Sequence, residues 1–183
     1  MRRTRPLFDT KTAQPFNQPT IDQVSVMIVD DDKDFIEITR VWLENLGCKQ
    51  IITATNGRDA LRQIRKAEHK PQIVLLDINM PFDGYACCRV LRNDAYLKQE
   101  PFFLALLTAD PLENAEVHRF RAGADMVLHK PLQFMDLFHT LLIYFQRQKE
   151  NFHRHQAQAV HQMPQPSPRT RSRQSWSAQL QVT

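Results

Sequence analysis

Short apolar runs alternate with longer amphipathic segments through the middle of the chain. The runs are four to six residues long and lie at 25–29, 50–54, 73–76, 102–107 and 125–128. The segments between and after them carry apolar residues at helical spacing and lie at 33–47, 57–69, 84–95, 112–122 and 133–149. The pattern therefore predicts five consecutive strand–helix units.

Continuous apolar strands separated by helices are typical of a parallel sheet that is covered on both faces. Since such crossovers are almost always right-handed, the sequence predicts an α/β fold with a doubly wound, five-stranded parallel sheet. The functional crevice of such a fold lies at the carboxyl ends of the strands. We therefore expect the chemistry of the protein in the residues that follow each strand.

The helical spacing also predicts which side chains face the sheet. The first helix is expected to bury Phe35, Ile38, Trp42 and Leu46 and to end at Gly47, with Asp32 and Asp34 capping its start. The last helix is expected to turn one apolar face inward, formed by Phe134, Leu137, Phe138, Leu141, Leu142 and Phe145.

The two ends of the chain have a different composition from its middle. Residues 1–23 are basic and polar with three prolines, and residues 150–183 are rich in Gln, Pro, Ser and Arg, so both are expected to be flexible or disordered. The net charge of the whole chain is +4, and the basic excess lies in these ends. We therefore predict one folded domain over residues 24–149.

The three cysteines and the lack of a long apolar run restrict the cellular compartment in which the protein is expected. Cys48, Cys87 and Cys88 form no CxxC pair, so metal and redox motifs are not supported and the cysteines are expected to be reduced packing residues. No run is long enough to cross a membrane, and the basic start lacks the apolar region of a secretory signal. A cytoplasmic protein without membrane insertion is expected.

Polar side chains follow four of the five predicted strands. Asp30, Asp31 and Asp32 follow the first strand, Asp77 the third, Thr108 the fourth and Lys130 the fifth. Clustered carboxylates repel each other unless a cation compensates, and Mg²⁺ prefers such oxygen ligands. A carboxylate such as Asp77 can also act as a nucleophile at phosphorus, with the metal and Lys130 neutralising the phosphoryl oxygens.

These residues belong to motifs that resemble the receiver domains of two-component response regulators. The resemblance covers residues 24–147, and its motifs stand in the usual order: Val29-Asp30-Asp31-Asp32, Leu76-Asp77-Ile78-Asn79-Met80-Pro81 with Asp83-Gly84, Leu107-Thr108-Ala109, Ala122-Gly123-Ala124-Asp125 and Lys130-Pro131. It implies the flavodoxin-like (βα)₅ receiver fold.

The resemblance also implies a role for each site residue. Asp77 matches the phosphoacceptor, and Thr108 and Lys130 match the hydroxyl and the lysine that contact the phosphoryl group. The implied Mg²⁺ site consists of Asp30, Asp31, Asp77 and the backbone carbonyl of Asn79. Pro131 matches a proline whose preceding peptide bond is usually cis.

Two positions depart from the family pattern. Only Phe82 stands between Pro81 and Asp83, where the family usually has two residues, and Val127 occupies a position that is usually aromatic and coupled to the threonine. Phosphorylation chemistry does not require that ring, but signal output by the usual route does. His129, beside Lys130, is expected to face solvent.

The sequence therefore predicts a stand-alone response regulator rather than a turnover enzyme. It would accept a phosphoryl group from a histidine kinase or a phosphotransfer protein and contact a target through the helix at 112–122, the last strand and the last helix. One alternative is a receiver-fold scaffold that works without phosphorylation. Another is a regulator that binds DNA through its basic tail, although no helix-turn-helix pattern follows residue 149. A haloacid-dehalogenase-type phosphatase would need an acid where Asn79 stands.

Overall fold

The computed structural model describes residues 19–81, 84–94, 102–109, 119 and 121–161. A single 3-10 turn, Ile21–Gln23, precedes the sheet. The strands are β1 (Ser25–Val29), β2 (Gln50–Ala54), β3 (Ile73–Asp77), β4 (Phe103–Thr108) and β5 (Met126–His129). The helices with defined bounds are α1 (Lys33–Asn45), α2 (Gly57–Lys66), α3 (Gly84–Asn93) and the C-terminal α4 (Phe134–His161).

The five strands form one parallel sheet in the order β2-β1-β3-β4-β5. The register pairs Val29 with both Ala54 and Leu76, and Thr108 with His129. The carboxyl ends of all five strands therefore meet at one edge. The chain direction across the sheet reverses between β1 and β3, which is the switch point where such folds place their sites. The predicted doubly wound α/β fold is confirmed.

The sheet separates two apolar layers. One contains Met27, Val29, Val74 and Leu76 with the inner faces of α2 and α3, and the other contains Ile28, Leu75 and Leu107 with α1 and α4. All five residues of β1 and of β3 are buried. This double coverage explains why these strands are continuous apolar runs rather than alternating ones.

The buried face of α1 differs from the predicted one. Ile36, Thr39 and Leu43 are buried against the sheet, whereas Ile38 is 51% exposed. The pattern of large apolar residues was misleading because a threonine occupies the middle of the buried face. The predicted cap is confirmed for Asp32, whose carboxylate accepts hydrogen bonds from the backbone N–H groups of Asp34 and Phe35. Asp34 lies in the first turn of the helix and is not the cap.

The C-terminal helix is longer than predicted, and part of its apolar surface is exposed. It continues to His161, well into the stretch that was expected to be disordered after residue 149. Leu137, Leu141 and Tyr144 are buried, but Phe134, Phe138 and Leu142 are 38%, 39% and 45% exposed. The prediction that these three face the core is therefore wrong.

Several predicted features lie outside the described residues. They are most of the helix at 112–122, of which only Arg119, Arg121 and Ala122 are described and are helical, and residues 1–18 and 162–183 of the two terminal segments. Among the described helices, none combines the length and the apolar character that crossing a membrane would need.

Replacing Thr39 by valine is expected to raise the free energy of unfolding by about 1 kcal/mol, because the variant removes a buried hydroxyl without a partner and keeps the shape of the side chain. The Oγ1 atom of Thr39 is buried and has no hydrogen-bond partner in the structure. Urea unfolding followed by circular dichroism would measure the change.

Thr140 provides a matched control for that substitution. It is equally buried, but its hydroxyl donates a 2.7 Å hydrogen bond to the carbonyl of Asp136. Thr140→Val should therefore lower the free energy of unfolding by about 1 kcal/mol. A loss of stability in both variants would show that the Thr39 hydroxyl does have a partner.

Candidate acidic site at the carboxyl edge of the sheet

Two carboxylates lie buried at the carboxyl ends of adjacent central strands. Asp30 directly follows β1 and is fully buried, and its backbone N–H extends the strand pairing to the carbonyl of Ala54. Asp77 is the last residue of β3 and is 2% exposed. Because β1 and β3 are neighbours, the parallel register brings these two side chains together at the switch point.

Lys130 bridges the two carboxylates from the end of β5. Its Nζ lies 2.7 Å from Oδ2 of Asp30 and 3.2 Å from Oδ2 of Asp77. The backbone N–H of Lys130 donates to the carbonyl of Thr108, which fixes the start of this loop. The bond between Lys130 and Pro131 is cis, as the resemblance implied.

Burial and the shared ammonium act in opposite directions on the pKa of Asp30. Burial has the largest effect and raises the pKa, and the charge of Asp77 acts in the same direction. The hydrogen bonds from Lys130 and from the N–H of Asp32 lower it, but the net pKa is above the usual aspartate value.

The pKa of Lys130 is also raised, but here burial opposes the shift and the neighbouring carboxylates cause it. Burial alone would lower it, but the hydrogen bond and charge of Asp30, followed by those of Asp77, outweigh that effect. The lysine therefore keeps its charge at neutral pH, which is what a group that neutralises nearby anions requires.

The remaining oxygens of the two buried carboxylates accept backbone hydrogen bonds. Oδ1 of Asp30 accepts from the N–H of Asp32 at 3.0 Å, and Oδ1 of Asp77 accepts from the N–H of Asn79 at 3.2 Å. Both side chains are thereby held in fixed orientations. Asp31 is exposed, and one ligand oxygen from each of Asp30, Asp31 and Asp77 falls within 4.8 Å of the others.

Two residues around this site were not assigned to it by the sequence. The ring of Phe35, expected only as a core residue, lies under the ammonium of Lys130, with 4.5 Å between Nζ and the ring centroid. Gly84 packs against the strand end, since a Cβ atom there would lie 2.2 Å from the carbonyl oxygen of Asp77. The Asp-Gly pair at the start of α3 could have indicated that Gly84 lies at the site, whereas no sequence pattern indicated this for Phe35.

Thr108 is fully buried at the end of β4, and its Cα atom is paired with that of His129. Strand alternation places both side chains on the sheet face that also carries Val127. His129 is only partly exposed, and its Nε2 atom is buried without a hydrogen-bond partner in the structure. The expectation that His129 faces solvent is therefore wrong.

The shortened loop lies largely outside the described residues. Phe82 and Asp83 are not described, nor is Asp110 after β4. Val127, the other departure, is half-buried and packs against the apolar layer on its side of the sheet.

The fold and this edge define a doubly wound α/β protein with an acidic, lysine-bridged site at its switch point. Comparisons with known proteins agree with that class. The family model of the response regulator receiver domain matches residues 26–142. The protein PilG of Pseudomonas aeruginosa is 35% identical over 117 residues, which make up 63% of this chain and 83% of PilG.

A solved structure gives the same result. The CheY-like response regulator receiver domain protein of Methanospirillum hungatei has a TM-score of 0.60 and 25% sequence identity, covering 70% of this chain and 98% of that one. The chain therefore belongs to the response regulator receiver domain family, whose members are signalling proteins of two-component systems.

The similarity does not extend over the whole of every relative. Response regulator Rre1 of Synechocystis is 31% identical over 109 residues, which make up 59% of this chain but only 46% of Rre1. The chain thus spans about half the length of that relative. Receiver domains in general bind Mg²⁺ at an acidic pocket and interact with histidine kinases and downstream targets.

Proposed function

We propose that this chain accepts a phosphoryl group on Asp77 from a histidine kinase or a phosphotransfer protein, and that the modified form contacts different protein partners. The observation that carries the proposal is the position of Lys130 Nζ, within 3.2 Å of both Asp30 and Asp77. A cation held beside a buried, oriented carboxylate stabilises a phosphoryl group arriving there.

The proposed step is a displacement at phosphorus. An Asp77 carboxylate oxygen forms a bond to phosphorus, while the bond from phosphorus to the donor histidine nitrogen breaks and its electron pair stays on nitrogen. The product is an aspartyl phosphate. Lys130 neutralises part of the charge on the phosphoryl oxygens, and the buried Thr108 hydroxyl donates a hydrogen bond to one of them.

The donor set fits Mg²⁺ in particular. Three carboxylates whose ligand oxygens lie within 4.8 Å of one another provide hard ligands, and among the described residues no histidine or cysteine joins them. Asp30, Asp31 and Asp77 would hold the ion, with the carbonyl of Asn79 as a further ligand. When bound, Mg²⁺ supplies charge neutralisation for the incoming phosphoryl oxygens. Because Lys130 already neutralises part of the carboxylate charge, the ion has less negative charge to compensate.

The output of the proposed function is a change in protein contacts. Phosphorylation places a group that bears a charge of about −2 next to the end of β5 and its following loop, which reorganises nearby contacts. The surface formed by residues near 112–122, β5 and α4 is the proposed target-binding region. The three cysteines are buried free thiols, which fits action in the reducing cytoplasm.

A receiver-fold scaffold that works without phosphorylation is the second candidate. It is favoured by Val127, which packs into the apolar layer at the position where the family usually has an aromatic residue coupled to the threonine. The lysine-bridged pair of Asp30 and Asp77 argues against it. Burying two like charges side by side destabilises a fold, and a scaffold that works without phosphorylation does not need them. DNA binding through the basic tail stays a weaker hypothesis, and residues 162–183 of that tail lie outside the described residues.

Phosphoryl uptake tests the two candidates directly. The chain is incubated with a small-molecule phosphodonor and Mg²⁺, and its intact mass is measured. We expect the gain of one phosphoryl group, lost in Asp77→Asn and in EDTA. Asp94→Asn is the matched control, because Asp94 pairs with Arg65 at the far end of α3. A wild-type chain that gains no phosphoryl group from donors or from a panel of histidine kinases would support the scaffold instead.

A further inference from the structure

One polar ring ends the otherwise apolar strand β5. The strand consists of Met126, Val127, Leu128 and His129, and His129 is its one residue with a nitrogen or oxygen in the side chain. The residue is partly exposed, but its Nε2 atom is buried and has no hydrogen-bond partner among the described residues. Burying a polar atom without a partner destabilises a fold, so a second state of the protein that provides the partner would explain it.

The side chain of Thr108 adjoins His129 on the next strand. The register pairs the Cα atoms of the two residues, so both side chains leave the same face of the sheet, and paired strands lie about 4.8 Å apart. The backbone is fixed around this pair, because Leu107 pairs with Leu128 and the N–H of Lys130 donates to the carbonyl of Thr108 at 2.8 Å. Side-chain rotation is therefore sufficient to bring the His129 ring to the Thr108 hydroxyl.

A threonine hydroxyl can make two hydrogen bonds of opposite direction at the same time. It has one O–H to donate and two lone pairs with which to accept. When the Thr108 O–H donates to a phosphoryl oxygen on Asp77, a lone pair of the same oxygen still accepts from an N–H group. An N–H that donates to this oxygen polarises the hydroxyl and strengthens the bond that the hydroxyl donates.

We propose that His129 is a positioning residue of the site, whose Nε2–H donates to the Thr108 oxygen when Thr108 donates to a phosphoryl group on Asp77. This inference rests on the proposed function, because the phosphoryl group is what turns the Thr108 hydroxyl. The unpaired Nε2 then belongs to the unmodified form alone. Because the modified form provides the missing partner, His129 shifts the balance towards that form.

The order of the strands favours this indirect role over direct contact of His129 with the phosphoryl group. Strand β4 separates β5 from β3, which carries Asp77, so β5 and β3 are about 10 Å apart. The long stem of Lys130 spans this gap and brings Nζ to 3.2 Å from Asp77, but an imidazole is shorter. Thr108 lies on the strand between them and is the residue through which His129 can act.

The rate of phosphoryl uptake is the first test. His129→Leu removes the N–H donor with little change in volume and should lower the rate constant for uptake from a small-molecule phosphodonor with Mg²⁺ by about tenfold. His129→Gln keeps an N–H donor in its amide group and should retain most of the rate. His139→Leu is the matched control, because His139 is exposed on α4. Normal uptake by His129→Leu would overturn the inference.

Thr108→Val distinguishes action through the threonine from a general loss of packing. His129→Leu should slow uptake in the wild-type background and have no further effect in the Thr108→Val background, because the hydroxyl it acts on is then absent. Urea unfolding of the unmodified His129→Leu chain should show no loss of stability, since Nε2 has no bond to lose. Equal slowing in both backgrounds would assign His129 a structural role and contradict the inference.

Nuclear magnetic resonance of the ring-¹⁵N-labelled protein detects the proposed hydrogen bond itself. A slowly exchanging Nε2–H signal of His129 should appear on phosphorylation, and it should be missing in phosphorylated Thr108→Val. Intact mass of the same samples shows whether Asp77 is modified. A wild-type chain without uptake would overturn the proposed function and this inference with it. Full uptake with an unchanged His129 signal would overturn this inference alone.

Discussion

Replacing Lys130 by methionine is expected to lower the free energy of unfolding by about 3 kcal/mol at neutral pH in EDTA. The reason is that Asp30 is fully buried and Lys130 is the cation that contacts it. Without the ammonium, Asp30 and Asp77 are two buried like charges at adjacent strand ends. Urea unfolding followed by circular dichroism measures the loss.

The dependence of this loss on pH distinguishes electrostatics from packing. The folded-state pKa of Asp30 is raised, so its effect on folding is most favourable at low pH, where the carboxyl is protonated, and becomes unfavourable as the pH rises through that pKa. Removing Lys130 takes away a hydrogen bond and a charge that hold this pKa down. The variant should therefore recover part of its lost stability at mildly acidic pH.

A second substitution provides the control. Asp30→Asn in the Lys130→Met background removes one of the two repelling charges and should restore most of the stability at neutral pH. If the double variant is as unstable as Lys130→Met alone, the lost contribution is the contact of the ammonium with the Phe35 ring rather than its pairing with Asp30. Phosphoryl uptake should fall about 100-fold in Lys130→Met, since the phosphoryl oxygens lose their fixed cation.

The alternation of apolar strands with amphipathic helices predicted the fold and the meeting of the acidic residues. Five apolar runs specify parallel strands, and the parallel register then forces Asp30, Asp77 and Lys130 to one edge, where the structure places them. This inference needs only the topology, which is why it succeeded without side-chain detail. Which role each residue has in the chemistry stays a prediction until uptake is measured.

Helix faces were harder to predict than strand ends. Both faces of β1, β3 and β4 are buried, so the rotation of these strands needs no prediction. A helix turns by 100° per residue, so a small error in its rotation exchanges buried and exposed positions. Thr39 instead of Ile38 faces the sheet in α1. In α4, Phe138 and Leu142 are large apolar residues of the kind found in a core, but they are exposed at the surface.

The end of α4 could not be predicted from composition. Residues 150–161 are polar, and a polar segment without a core-facing pattern is expected to be disordered. In the structure these residues continue a helix that is already formed, and adding residues to an existing helix is far easier than starting one. Phe152 was an apolar indication that the pattern of the helix continues.

Replacing Gly84 by alanine is expected to destabilise the protein by about 2–3 kcal/mol and to impair phosphoryl uptake. The added Cβ would lie 2.2 Å from the carbonyl oxygen of Asp77 and 2.4 Å from Cα of Ile78. Both are backbone atoms of the strand end that presents Asp77, so the clash is relieved only if α3 or the site itself moves. Helix propensity predicts the opposite sign, because alanine is favoured over glycine by about 1 kcal/mol.

Gly123→Ala separates loss of stability from displacement of the site. Gly123 has φ of +76°, and among the described residues its added Cβ would meet only the Arg92 side chain, at 3.4 Å. This variant should lose about 1 kcal/mol through backbone strain and retain uptake. Gly84→Ala should lose both stability and uptake, because its steric contact is with Asp77, the proposed phosphoacceptor. A Gly84→Ala protein that is stabilised and takes up phosphate normally would show that α3 and the end of β3 move apart freely.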